Sequence, residues 1–170
     1  MNKKPNGFVL IEASLTYIVL TFAIVTLMPL FILCLRSNKA TEYAVVSTQL
    51  STELLEEMRL RKWDHNTPQV AQVVTGSTAL GPNAGDAPLD KRTFNDLDDF
   101  NGWSEDVPMN PVMQPLALKE LRGYKRSVEV HYVDQNFKLV STPSDYKQVT
   151  VCTQKKPMVP TCLDTIFTNR

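Results

Sequence analysis

The sequence predicts an α+β chain, one long N-terminal helix packed on a small C-terminal antiparallel sheet. Three observations predict it. Ala13 to Leu35 is a run of 23 residues without a charge. Beyond Arg36, apolar residues continue at three- and four-residue steps, the period of a helix with one buried face. The last third of the chain alternates apolar and polar residues between turn-forming clusters, the period of half-buried strands.

The uncharged run is long enough to cross a bilayer. At ~1.5 Å rise per residue, about 20 apolar residues cover the ~30 Å hydrocarbon core. A secretory signal has a shorter apolar core of about 7 to 15 residues and a small-residue cleavage site. Here the run is longer and ends in Cys34-Leu35-Arg36. Lys3 and Lys4 precede the span, so the positive-inside rule puts this end in the cytoplasm and residues 36–170 on the other side. Glu12 is the anomaly, because an ionised side chain in a bilayer costs roughly 2.5 to 3.5 kcal/mol on insertion scales. It needs a partner, or a position near enough to the headgroups to snorkel.

Lys3-Lys4, Gly7, Phe8 and Glu12, followed by an unbroken apolar helix, resemble the N-terminal signature of type IV pilin-like proteins, the family of pilins, minor pilins and type II secretion pseudopilins. The resemblance covers about the first 35 residues. It implies that a prepilin peptidase cuts between Gly7 and Phe8 and methylates the new amino terminus. It also implies that Glu12 pairs with the Phe8 amino group of a neighbouring subunit in a filament. The organisation expected is a leader at 1–7, a transmembrane assembly helix at 8–35, its amphipathic continuation at 36–66 and an extracytoplasmic globular domain at 67–170. The partners implied are other pilin or pseudopilin subunits, the peptidase and the bacterial inner membrane before assembly, with the domain in the periplasm or outside and finally in a pilus or pseudopilus filament.

The rest of the chain agrees with one anchored domain. Pro29 in the outer half of the span predicts a kink, because it removes a helix hydrogen bond. Tyr43, Val46, Leu50, Leu54 and Met58 form an apolar stripe flanked by Glu53, Glu56, Glu57 and Arg59, a helix face that a sheet should cover. Pro68 and the weak helix formers before it predict that the helix stops near Lys62. From Pro68 to about Gln114 the chain is rich in Pro, Gly, Asn and Asp and reads as loop, with one short strand at Val70–Val74.

Asp86 to Asp106 holds seven acids against Lys91 and Arg92, a local balance of minus five. An EF-hand loop places oxygen ligands at alternate positions and closes on a glutamate. Asp96 and Asp98 fit the first two positions, but Phe100 occupies the third and no glutamate closes the loop. An irregular calcium site would use Asp96, Asp98, Asp99 and Asn101; the competing expectation is a solvated acidic loop. Asp98 to Glu105 also resembles, loosely, an aspartate-glycine-tryptophan turn of some pilin-like proteins.

Strands are expected at Tyr124–Val133, Gln148–Cys152 and Cys162–Thr168. Cys152 and Cys162 flank a turn-rich segment on the oxidising side of the membrane, and an even pair there predicts a disulfide. Between Lys119 and Lys156 eight basic residues face four acids, a balance of plus four. With the acidic segment this suggests either head-to-tail attraction between subunits or a merely dipolar surface screened at physiological salt. The formal net charge is zero, and aromatics and arginines do not interleave strongly enough to promote the basic segment as a DNA-binding patch, the minority reading, so nucleic acid is not the expected partner. His65 and His131 belong to no metal or triad spacing, and there is no phosphate loop or nucleophile elbow, so neither a cofactor nor an enzyme is expected. The sequence therefore reads as a minor structural subunit. The alternative is an anchored extracytoplasmic domain binding calcium or an adhesive ligand, with an anchored enzyme least favoured.

Overall fold

The computed structural model describes residues 6–64, 80–82, 87, 90–116 and 118–169. The expected strand at 70–74, His65 and Asp86 lie outside them. The element order is α1 (Asn6–Arg59), a 3-10 turn at Asp98–Phe100, β1 (Ser104–Glu105), a second 3-10 turn at Lys119–Leu121, β2 (Tyr124–Val133), β3 (Tyr146–Lys155) and β4 (Thr161–Thr168). The four strands form one antiparallel sheet in the order β1-β2-β3-β4. The chain is thus the α+β combination of a long helix and a small sheet. It divides into two units, Met1–Glu42 and Tyr43–Arg170.

In the first unit the helix is bare. Its large apolar side chains from Val9 to Leu35 are all exposed, and the helix is long and apolar enough to cross a membrane. A bilayer core supplies no water to satisfy a hydroxyl, so a serine or threonine of such a segment bonds within it. Ser14, Thr16 and Thr21 donate to the carbonyls of Leu10, Glu12 and Tyr17, at 2.8, 2.7 and 2.7 Å. Thr26 donates to those of Phe22 and Ala23, both at 3.0 Å. The helix assignment continues through Pro29 without a break.

In the second unit the stripe on α1 is core. Leu50, Leu54 and Met58 are buried and Tyr43 and Val46 half-buried, whereas Glu53, Glu56 and Arg59 are exposed. Leu54, Leu55 and Met58 pack with Val128, Val130, Val149 and Val151 from the inner face of the sheet, and with Trp63, Phe94, Leu97, Phe100 and Trp103. Phe100 meets Phe94 and Trp103 edge to face, with ring centroids 5.0 and 6.2 Å apart. Buried hydroxyls seat the helix on the strand, since Ser51 Oγ and Thr153 Oγ1 are 2.8 Å apart.

The helix ends at Arg59, about one turn short of the expected stop. Its last turn tightens through Leu60 and Arg61 amides bonded to the Glu57 and Met58 carbonyls, and Lys62 then leaves the helix because the 95–97 segment takes its backbone. The Lys62 amide donates to Asn95 O at 3.3 Å, and Lys62 O accepts from the Leu97 amide at 3.0 Å.

β2 runs over the expected residues and alternates strictly from buried Tyr124 to exposed His131. β3 is longer than expected at both ends, because its whole length pairs with β2, from Tyr124↔Lys155 to Val133↔Tyr146. The other edge of β2 is covered by the segment after the 3-10 turn. Gly102, at φ +76°, where a side chain would be strained, turns the chain so that its amide reaches Val128 O, and the Val128 amide returns to Trp103 O. Asn101 Oδ1 accepts from the Val130 amide at 3.0 Å.

Cys152 and Cys162 are direct register partners across β3 and β4 and form the expected disulfide, with Cα atoms 4.0 Å apart. With a sequence separation of 10 between the two cysteines, the chain-entropy relation gives about 2.7 kcal/mol. Replacing both by serine should lower the unfolding free energy by roughly that amount, read by chemical denaturation against the oxidised parent.

Candidate functional site

Two sets of residues carry the chemistry expected of this chain. Gly7 and Phe8 lie in the first turn of α1 and Glu12 a little over one turn later, exposed on the helix. Phe8 and Glu12 are four residues apart, about 6 Å along one helix. Cys34, the one cysteine outside the disulfide, is exposed further along the same helix.

The second set is the acidic segment, and here the structure corrects the expectation of a solvated loop. Asp96, Asp98 and Asp99 are buried, with relative exposures of 0, 2 and 0 %. Asp96 Oδ1 accepts from the amides of Asp98 and Asp99 at 2.9 and 3.2 Å. Asp99 Oδ2 accepts from those of Asn95 and Asp96 at 2.7 and 3.1 Å. Short carboxylates bonding amides two to four residues away are turn-makers, and one oxygen of each is engaged in this way. Asn101 is committed to β2 through Val130, and Asp98 stands 2.5 Å from Lys147 Nζ. The four candidate calcium ligands therefore hold the fold, and among the described residues no cluster of three or more histidine, cysteine or acidic side chains converges on a cation position.

Part of the charge counted by segment is paired within the chain. Lys147 pairs with Asp98, Arg126 with Glu105, Lys125 with Asp106, and Lys91 with Glu57. Arg126, Lys147 and Lys91 are almost completely buried. Lys147 donates to Trp63 O at 2.7 Å and lies 4.5 Å from the centroid of the Trp63 ring. Arg126 donates to Leu50 O at 3.1 Å and Met109 O at 2.8 Å besides Glu105. Lys91 bonds Glu57 at 2.8 Å and Met109 O at 3.0 Å. These three cations tie α1, the acidic segment and the sheet into one network. A count of charges by segment missed it, but strand phase points to it. Arg126 shares the parity of buried Tyr124, Val128, Val130 and Tyr132, and Lys147 that of Val149 and Val151.

Burial sets the protonation of this network. It pushes the Asp98 carboxyl from its ordinary value of 3.8 up to about 7, against the opposing pull of Lys147. Asp96 is also raised, by burial and then by Asp99, and Glu105 by burial against Arg126. A carboxyl whose folded value lies above its unfolded one stabilises fully below the unfolded value and loses that contribution as pH rises through the folded one. The fold should therefore weaken between about pH 4 and pH 7. Asp98→Asn should flatten that slope in denaturant midpoints followed by Trp63 and Trp103 fluorescence; an unchanged slope would assign the pH dependence elsewhere. His131 stands apart from the network, on the exposed face of β2 with Glu129 at 3.6 Å.

Comparison of the chain with protein-family models, with curated proteins and with solved structures found no match.

Proposed function

We propose that the chain is a minor pilin-like structural subunit of a type IV pilus or a type II secretion pseudopilus. The observation that carries this reading is the N-terminal pattern itself: a basic leader, Gly7-Phe8, and one carboxylate at Glu12 opening a helix that stays uncharged to Leu35. A helix anchor alone has no use for a carboxylate, which costs roughly 2.5 to 3.5 kcal/mol in the bilayer. A prepilin peptidase would cut after Gly7 and methylate Phe8. The Phe8 amino group of one subunit would then neutralise Glu12 of the next, offsetting the desolvation of both charges and setting the axial step between helices.

The domain supports the same reading. A long helix whose last third packs into the core of an antiparallel-sheet domain is the architecture such a subunit needs. Its irregular segment, spent on internal ion pairs, is more elaborate than a minimal repeating subunit requires and favours a minor position. The role is structural, with no reaction assigned to any residue. Shearing of filaments from cells that carry the complete machinery tests it. The reading expects a small share of the protein in the sheared fraction and the rest in the inner membrane. Complete retention in the membrane when filaments are abundant contradicts it.

A further inference from the structure

Tyr43, the first residue of the second unit, marks the end of that unit at which the chain enters. Its hydroxyl donates to the Val159 carbonyl at 2.7 Å, with the Thr153 carbonyl at 3.2 Å. Its ring stacks on Tyr124 at 5.9 Å, and Lys155 Nζ lies 4.5 Å from the centroid of the Tyr124 ring. The start of β2, the end of β3 and the β3–β4 connection therefore gather around Tyr43. The residues displayed there have a definite chemistry. Val159, Leu118 and Met158 are exposed apolar tips at 81, 63 and 38 %. Lys119, Arg122 and Lys156 are exposed around them and Lys155 is half-buried. In segments 118–122 and 155–160, four cations stand with one acid, Glu120.

We propose that this surface rests on anionic lipid headgroups of the leaflet from which the helix emerges. The proposal rests on the reading of α1 as a membrane span. Tyr43 follows Leu35, the last residue of the uncharged run, by eight residues. At ~1.5 Å per residue that is about 12 Å of helix. Apolar tips ringed by lysine and arginine bind membranes by shallow insertion combined with attraction to anionic lipid. The far end of the sheet lacks the charge: its β2–β3 turn exposes Phe137 and Leu139, but Lys138 there is accompanied by Asp134 and Asp145. Those ends are separated by the length of β2, ten residues or about 30 Å. The surface would hold the domain close to the bilayer until the subunit enters a filament.

The test uses the full-length chain in phosphatidylcholine vesicles with and without about 30 % phosphatidylglycerol. Amine acylation of individual lysines is read by peptide mass spectrometry. Each basic residue near an anionic surface adds about five-fold in occupancy, so acylation of Lys119, Lys155 and Lys156 should slow at least about three-fold with the anionic lipid. Lys138 should be unaffected, and about 0.5 M salt should remove the protection. Changing Lys119, Arg122 and Lys156 together to glutamine leaves the Tyr43–Tyr124 contact intact and should abolish the lipid dependence at Lys155. Equal rates in both vesicles, with the chain still membrane-bound after alkaline carbonate, overturn the lipid surface and leave the anchor standing. Release of the chain by carbonate overturns the anchor and the proposal with it.

Discussion

Arg126→Met should destabilise the Tyr43–Arg170 unit by about 3 to 5 kcal/mol, because removing one partner of a buried ion pair strands the other charge. Arg126 is 1 % exposed and Glu105 6 %, so no water replaces the guanidinium. The substitution also removes the bonds that Arg126 gives to Leu50 O, within α1, and to Met109 O, which keeps Lys91 as a donor. Methionine fills much of the same volume, so the effect reports charge and hydrogen bonding more than a cavity. Because burial already raises the Glu105 carboxyl, the stranded acid can take up a proton, and the loss should be smaller at pH 5 than at pH 8. Arg126→Met combined with Glu105→Leu should recover most of the stability, since apolar replacement of a whole buried pair is often neutral. Trp103, 2 % exposed in the same core, gives the fluorescence signal for chemical denaturation. A single-variant loss below about 1 kcal/mol, the range of exposed pairs, would show that water reaches the site.

The second large effect is on assembly. Glu12→Val should insert into the membrane as well as the parent or better, because it removes a charge costing roughly 2.5 to 3.5 kcal/mol in the bilayer. Its recovery in sheared filaments should nevertheless fall at least about ten-fold, since an interaction that offsets that cost is worth roughly 60- to 300-fold in an equilibrium. Glu12→Asp shortens the arm and should give an intermediate value, and Glu12→Gln, which keeps the shape, should fail like valine. Quantitative blotting of membrane and sheared fractions from one culture separates insertion from assembly. Parental incorporation of Glu12→Val would remove the pairing with Phe8 from the account.

What was legible in the chain followed from period and run length. The uncharged stretch to Leu35, the stripe from Tyr43 to Met58 and the alternation of Tyr124–Val133 are each repeated many times, so they identify the helix, its buried face and the central strand. The disulfide followed from two cysteines flanking a turn. The acidic segment was misread as solvated because composition counts charges without their partners. Asp96 and Asp99 bond amides two to four residues away, but Asp98 finds Lys147 only after the sheet brings β3 alongside. Helix length was overestimated for a similar reason: Lys62 is a good helix former, and its departure depends on a backbone pairing with Asn95 and Leu97 that no local preference encodes. At Gly7, Phe8 and Glu12 the signal is chemical, a carboxylate where the bilayer penalises one, and the partner proposed for it belongs to a neighbour that a single chain does not contain.

The mass of the N-terminal peptide of the chain extracted from its native membrane tests the central claim most directly. A mature protein beginning at N-methylated Phe8 is the predicted result, and it would direct the search to the filament this subunit enters. An intact Met1, or a terminus beyond Leu35, would contradict processing as a pilin-like subunit. The Tyr43–Arg170 unit would then be an anchored or secreted domain whose partner lies outside any filament.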